Sequence, residues 1–94
     1  MELRFWLDPE TGLPHILNHG VTEEEVRQVL SRTGEEFPGR DRSRIRLGQT
    51  LAGRYLQVVY VPDTAGDGAF VVTAFDLTLK ARRAFRRRQG RKRK

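Results

Sequence analysis

The chain has 94 residues, no cysteine, 18 Lys and Arg against 12 Asp and Glu, and a net charge of +6. That length holds one domain with a small core and excludes a second, while zero cysteines exclude disulfides and thiolate metal sites of the zinc-finger kind. No apolar run approaches the roughly 20 residues of a membrane span, and Met1 to Trp6 lacks the basic-then-apolar order of a secretory signal, so a soluble cytoplasmic protein is expected.

Leu3 to Leu7 alternates apolar and polar side chains, which predicts a strand with Leu3, Phe5 and Leu7 on one face, ended by Asp8-Pro9. A short helical turn is predicted from Pro14 to His19, since Pro favours a helix start and Gly20 can supply the left-handed residue that closes one. Thr22-Glu23-Glu24-Glu25 has the spacing of a capping box, with Val21 and Val26 at the staple positions. Val26, Val29 and Leu30 then recur at helical spacing, which predicts a helix over 23–32.

After Gly34 the period changes. Ile45, Leu47 and Gln49 alternate with Arg44, Arg46 and Gly48, and a second run extends from Arg54 to Val61. A tight turn across Ala52-Gly53 would place Ile45, Leu47, Leu56, Val58 and Tyr60 on an apolar face and Arg44, Arg46, Thr50, Tyr55 and Gln57 on a polar one. Pro62 to Gly68 is a loop by composition, and Ala69 to Phe75 completes a meander. Leu77, Ala81, Ala84 and Phe85 then mark one stripe of a last helix whose other faces are almost wholly Lys and Arg. The expected fold is α+β: a small antiparallel sheet of about four strands, the N-terminal strand plus a three-strand meander, packed with helices. Residues 1–88 form this single domain and 89–94 a basic, disordered tail.

Charge is distributed unevenly. Residues 80–94 carry ten Lys and Arg and no acid, whereas residues 1–79, with eight basic and twelve acidic side chains, carry −4. Cations gathered at one end point to a polyanion, because each one near a phosphate releases counterions. A solvated solubility tail and an acidic lipid surface are the competing readings. Only Phe85 offers an apolar anchor for the lipid.

Phe5-Trp6-Leu7-Asp8, Asn18-His19-Gly20-Val21-Thr22, Gly53-Arg54-Tyr55-Leu56-Gln57-Val58-Val59-Tyr60 and Val71-Val72-Thr73-Ala74, followed by a basic helix, resemble toxins of the BrnT family, relatives of RelE. The likeness spans roughly residues 5–88. It implies a RelE-like fold, metal-free ribonuclease activity, and neutralisation by an antitoxin protein as cognate partner. The chain departs from the family at Phe75-Asp76, where an Arg usually follows the last strand.

Cleavage of RNA without metal needs a base for the 2′-hydroxyl proton and cationic donors for the phosphate. The catalytic set expected on that basis is His19, Arg46, Tyr55 and Lys80, with no metal and no cofactor. Arg44, Arg54, Arg82, Arg83, Arg86, Arg87, Arg88, Arg91, Lys92, Arg93 and Lys94 are expected to bind RNA or a ribosome. Each residue also has an ordinary explanation. His19-Gly20 can be a helix end, and His15 with His19 has zinc-pair spacing without the neighbouring Glu of that motif. Tyr55 and Tyr60 can be half-buried sheet residues. Arg40, Arg42, Arg44 and Arg46 fall two apart and can be solvated edge charges, and Trp6 can serve as core or as partner surface. Two rival functions therefore stand beside the toxin: a non-catalytic RNA- or ribosome-binding module, and an interaction protein whose tail holds an acidic partner.

Overall fold

Local capping decides where the helices begin. In the computed structural model, which describes residues 2–92, Thr22 accepts from the N–H of Glu25 at 3.1 Å while Glu25 accepts from the N–H of Thr22 at 3.0 Å. Two otherwise unpaired donors are thereby satisfied, and helix α1 runs Glu23–Ser31 with Val26, Val29 and Leu30 buried. Upstream, a 3-10 helix over His15–His19 is closed by Gly20, whose φ of 67° is the left-handed conformation open to glycine at little cost.

Five strands form one sheet: β1 Leu3–Phe5, β2 Glu35–Pro38, β3 Arg44–Gln49, β4 Tyr55–Pro62 and β5 Ala69–Asp76. Their spatial order is β1-β5-β4-β3-β2, antiparallel except that β1 pairs parallel to β5. The α+β class stands, with one strand more than expected and a mixed sheet. The added strand, Glu-Glu-Phe-Pro, has little strand propensity of its own. Its position is fixed across the ladder, where Glu36 pairs with Arg46 in register and also bonds Arg44. Pro38 ends it on the sheet edge, where a missing donor is tolerated.

The β3–β4 pairing differs by one residue from the sequence expectation. Thr50 donates its N–H to the Arg54 carbonyl at 2.8 Å, so Leu51-Ala52-Gly53 forms a three-residue loop with Gly53 at φ 96°. A two-residue turn would have paired Thr50 with Tyr55; here Gln49 does so. One residue of slip exchanges the faces of one strand relative to the other. Leu56, Val58 and Tyr60 therefore share a face with Arg44, Arg46 and Gly48, whereas Ile45 and Leu47 stand with Tyr55, Gln57 and Val59. Arg40 and Arg42 are not strand residues. They lie in the β2–β3 turn, where Gly39 donates to the Ser43 carbonyl and Asp41 and Arg42 have positive φ.

Both faces carry apolar residues because both receive a helix. On one, α1 and the 3-10 helix cover Leu56, Val58, Val71 and Ala74, forming the core with Ile16, Val21, Val26, Val29 and Leu30. Gly48 lets α1 approach closely, since a Cβ there would lie 3.0 Å from Val29 Cγ1. The other face receives helix α2, Leu79–Lys92, whose buried residue is Phe85. Thr78 caps it by accepting from the Ala81 N–H at 3.1 Å. Positions 89–92, which the sequence assigns to the basic tail, are the last turn of α2. Arg93 and Lys94, and the side chains of Arg91 and Lys92, lie outside the described residues. No helix among the described residues is long and apolar enough to cross a membrane.

Candidate nucleic-acid interface

Helix α2 docks by two unlike contacts. Phe85, 4% exposed, meets Tyr55 edge to face at 6.1 Å between ring centres. One turn on, Arg88 grips Glu35 with two bonds, Nε to Oε2 at 2.6 Å and Nη2 to Oε1 at 2.7 Å, a forked geometry that fixes the helix across β2. Arg88 is therefore a strut, not a free cation. Its neighbours differ: Lys80, Arg82, Arg83, Arg86 and Arg87 are all exposed, and none forms an ion pair with a described residue. Arg82 lies over the Tyr55 ring at 5.9 Å.

Between α2 and the sheet is a cleft of about 710 Å³, lined by Arg32, Thr33, Gln49, Tyr55, Phe85, Arg86, Gln89 and Gly90. Among the described residues no acidic side chain lines it. Arg32 enters from beyond α1 with Nη1 on the Gln49 carbonyl at 3.2 Å. The Gln89 amide nitrogen is buried without a hydrogen-bond partner among the described residues. Of these residues the sequence pointed to Tyr55 and Arg86 alone. The others become neighbours only when three distant segments meet.

The expected catalytic set is not assembled as a unit. Tyr55 is half-buried beside α2. Arg46 points to the opposite face, where Nη2 donates to the Arg32 carbonyl at 2.6 Å and Nη1 to Glu36 at 3.4 Å, so Arg46 and Tyr55 do not converge. His19 is exposed and meets Phe75 edge to face at 5.9 Å. Phe75 pairs with Gln57 and so shares the Tyr55 face. Lys80 is exposed in the first turn of α2. Trp6, His15, His19 and Phe75 form a chain of edge-to-face rings at 5.3, 5.2 and 5.9 Å. Among the described residues no group of three or more His, Cys, Asp or Glu is placed to hold a metal.

A scan against protein-family models finds no match, and neither a curated protein nor a solved structure is significantly similar to the chain.

Besides Arg88, two more arginines expected to meet RNA are held by carboxylates. Arg44 Nε bonds Glu36 at 3.2 Å. Arg54 bridges Asp76 and Glu25 and reaches the carbonyls of His19 and Gly20. Glu36 also accepts from the Tyr60 hydroxyl. Burial raises the Glu36 pKa, but the hydrogen bonds from Tyr60 and Arg44 and the charges of Arg46 and Arg44 outweigh it and leave the carboxyl below its ordinary range. Burial first, and then this carboxylate, push the Tyr60 phenol up to about 12.

An alkaline signature follows. Tyr60 is raised on folding, so its contribution is whole below the ordinary tyrosine value near 10 and is lost as pH climbs through about 12. Chemical denaturation between pH 9 and 12 should show a steeper fall in stability for the wild type than for Tyr60→Phe. Parallel curves would contradict it.

Proposed function

We propose that the protein binds RNA through α2 and the sheet face beside it, and acts as the toxin member of a toxin–antitoxin pair. The observation that carries RNA binding is the contrast in charge pairing. Arg4, Arg44, Arg46, Arg54 and Arg88 each face a carboxylate, while five cations on α2 project from the surface without one. Unneutralised cations in a row raise the local potential and gain affinity by releasing counterions from a phosphate backbone. The toxin role is supported by the resemblance to BrnT-like sequences, and it implies a cytoplasmic RNA or ribosome as target and an antitoxin protein as partner.

Cleavage is the catalytic form of the same reading, and His19 supports it. An exposed imidazole near the Tyr55 face can take a 2′-hydroxyl proton without a metal, with α2 supplying the cations. Arg46 is left out of this set. If His19 does not act on RNA, the protein is a binding module.

One titration series tests both levels. Fluorescence anisotropy with a single-stranded RNA should show log affinity falling linearly with log salt. Replacing Arg82, Arg83, Arg86 and Arg87 together by Ala should flatten the slope by about 3, at roughly 0.7 per phosphate contact on a single strand. The same RNA incubated in EDTA should be cleaved, and His19→Ala should slow cleavage on the order of 100-fold or more. Wild-type protein that fails to bind at low salt would remove the proposal. Intact RNA would leave binding alone.

A further inference from the structure

Helix α2 covers only one end of the sheet face on which it lies. Its contacts, Phe85 on Tyr55 and Arg88 on Glu35, fall at that end, and Leu47, in register with Glu35, is 6% exposed there. Further along the strands, Phe37, Ile45, Val59 and Thr73 stand in register across β2, β3, β4 and β5 on the same face, and Val61 pairs with Phe70 in the row beyond. Phe37 is 42% exposed and the other five are half-buried. Arg4, opposite Phe70, closes the second row and is tied to Asp63. An apolar strip interrupted by one threonine is thus left open. Both of its ends are cationic. The five unpaired cations of α2 border one, and the β2–β3 turn brings Arg40 and Arg42 to the other, both exposed and without an ion pair to a described residue, with Asp41 between them.

Resting on the toxin–antitoxin reading, we infer that this strip seats the partner protein, and that the partner brings an amphipathic helix, apolar along one stripe and acidic along its flanks. Aliphatic side chains bond neither phosphate nor hydroxyl, so the strip fits an apolar stripe, while the unpaired cations at its two ends fit carboxylates. The dimensions agree. Four strands about 4.8 Å apart span about 14 Å, the length of a helix of about ten residues. A second copy of the chain fits less well, because two such faces brought together oppose cation to cation. Carboxylates that engage the cations of α2 withdraw them from phosphate. Partner and RNA therefore compete, and occupation of the strip is the means of neutralisation.

The test uses the full chain and labelled synthetic helices of about 14 residues. One has leucine at i, i+3, i+4 and i+7 with glutamate elsewhere, one has the same leucines with lysine, and one has the same glutamates with serine for leucine. Anisotropy should show the leucine–glutamate helix held about tenfold more tightly than either of the others. Phe37→Ser with Val61→Thr, its fold checked by circular dichroism and melting, should weaken that helix about tenfold and leave the affinity for single-stranded RNA unchanged. Unlabelled leucine–glutamate helix should displace the RNA. Equal affinity for all three helices would overturn the inference, and so would a leucine–glutamate helix that the double variant holds as well as wild type does, since charge on α2 would then suffice. A dimer in sedimentation that the double variant dissolves would overturn it too, because a second copy then covers the strip. RNA left in place by saturating helix would overturn neutralisation through this face. If RNA fails to bind wild type at low salt while the leucine–glutamate helix binds and responds to the double variant, the RNA-binding reading falls and the docking strip stands.

Discussion

Replacing Arg54 by Ala should lower the melting temperature by roughly 10–25 °C at pH 7, the largest loss expected of any single charged residue. Its guanidinium joins four places. Nε and Nη2 hold Asp76 at 2.7 and 2.9 Å, Nη1 holds Glu25 at 3.1 Å and the Gly20 carbonyl at 2.7 Å, and Nη2 reaches the His19 carbonyl at 3.2 Å. Asp76 closes β5, Glu25 belongs to the capping box of α1, and His19 and Gly20 end the 3-10 helix, so one side chain ties three elements to the start of β4. A hydrogen bond to a charged group contributes about 1.5–3 kcal/mol. The Asp76 side chain is 59% exposed and its share is strongly screened, so the total is about 2–4 kcal/mol, not the sum. Lys cannot fork between two carboxylates and should restore less than half.

The pH dependence of that loss identifies its cause. Hydrogen bonding from Arg54 holds the Asp76 carboxyl below its ordinary range, so its contribution is present above about pH 4 and disappears as pH falls through the lowered value. Wild type and Arg54→Ala should therefore differ most near neutrality and draw together toward pH 2–3. Thermal unfolding followed by circular dichroism at pH 7 and pH 3 checks this. A gap that stays constant, or one under about 3 °C at pH 7, would show that the network only decorates the fold.

Asp76 also shows how far the sequence could be read. Set against BrnT-like sequences, Phe75-Asp76 stands where an Arg usually follows the last strand. In the fold Asp76 is the anchor of Arg54, and Phe75 carries the ring that meets His19. The capping box at Thr22 was legible because it depends on residues three apart, and so was the buried stripe of α1. Loop length was not. Ala52-Gly53 has turn chemistry whether the loop holds two residues or three, and that one residue decides whether Arg46 stands with Tyr55 or behind it. Strand β2 escaped for a different reason, since its two glutamates gain their place from Arg44, Arg46 and Arg88, which lie 8 to 53 residues away. The cationic surface was visible in composition alone. The cleft was not, because Arg32-Thr33, Gln49 to Tyr55 and Phe85 to Gly90 are far apart in the chain and line one space only in the folded protein.

The docking of α2 leads to the second large effect, expected for Phe85→Ala. The substitution changes no charge, yet it should weaken RNA binding about tenfold or more. Removing a buried phenyl from a core costs about 3–5 kcal/mol, and here the loss falls on the most deeply buried described side chain of α2. A detached helix of 14 residues is marginal in water, and Arg82 with Arg86 and Arg83 with Arg87 repel at i,i+4 spacing. Arg88 on Glu35 remains, but one ion pair whose guanidinium is 43% exposed does not replace the buried ring. Undocked, the cations sample many positions, so each bound phosphate must also order the chain that carries it. Helical circular dichroism and the salt slope should fall together in Phe85→Ala and recover largely in Phe85→Leu. If Phe85→Ala kept wild-type affinity and slope while losing helix, the charges would suffice without their scaffold, and the docked geometry of α2 would have no part in binding.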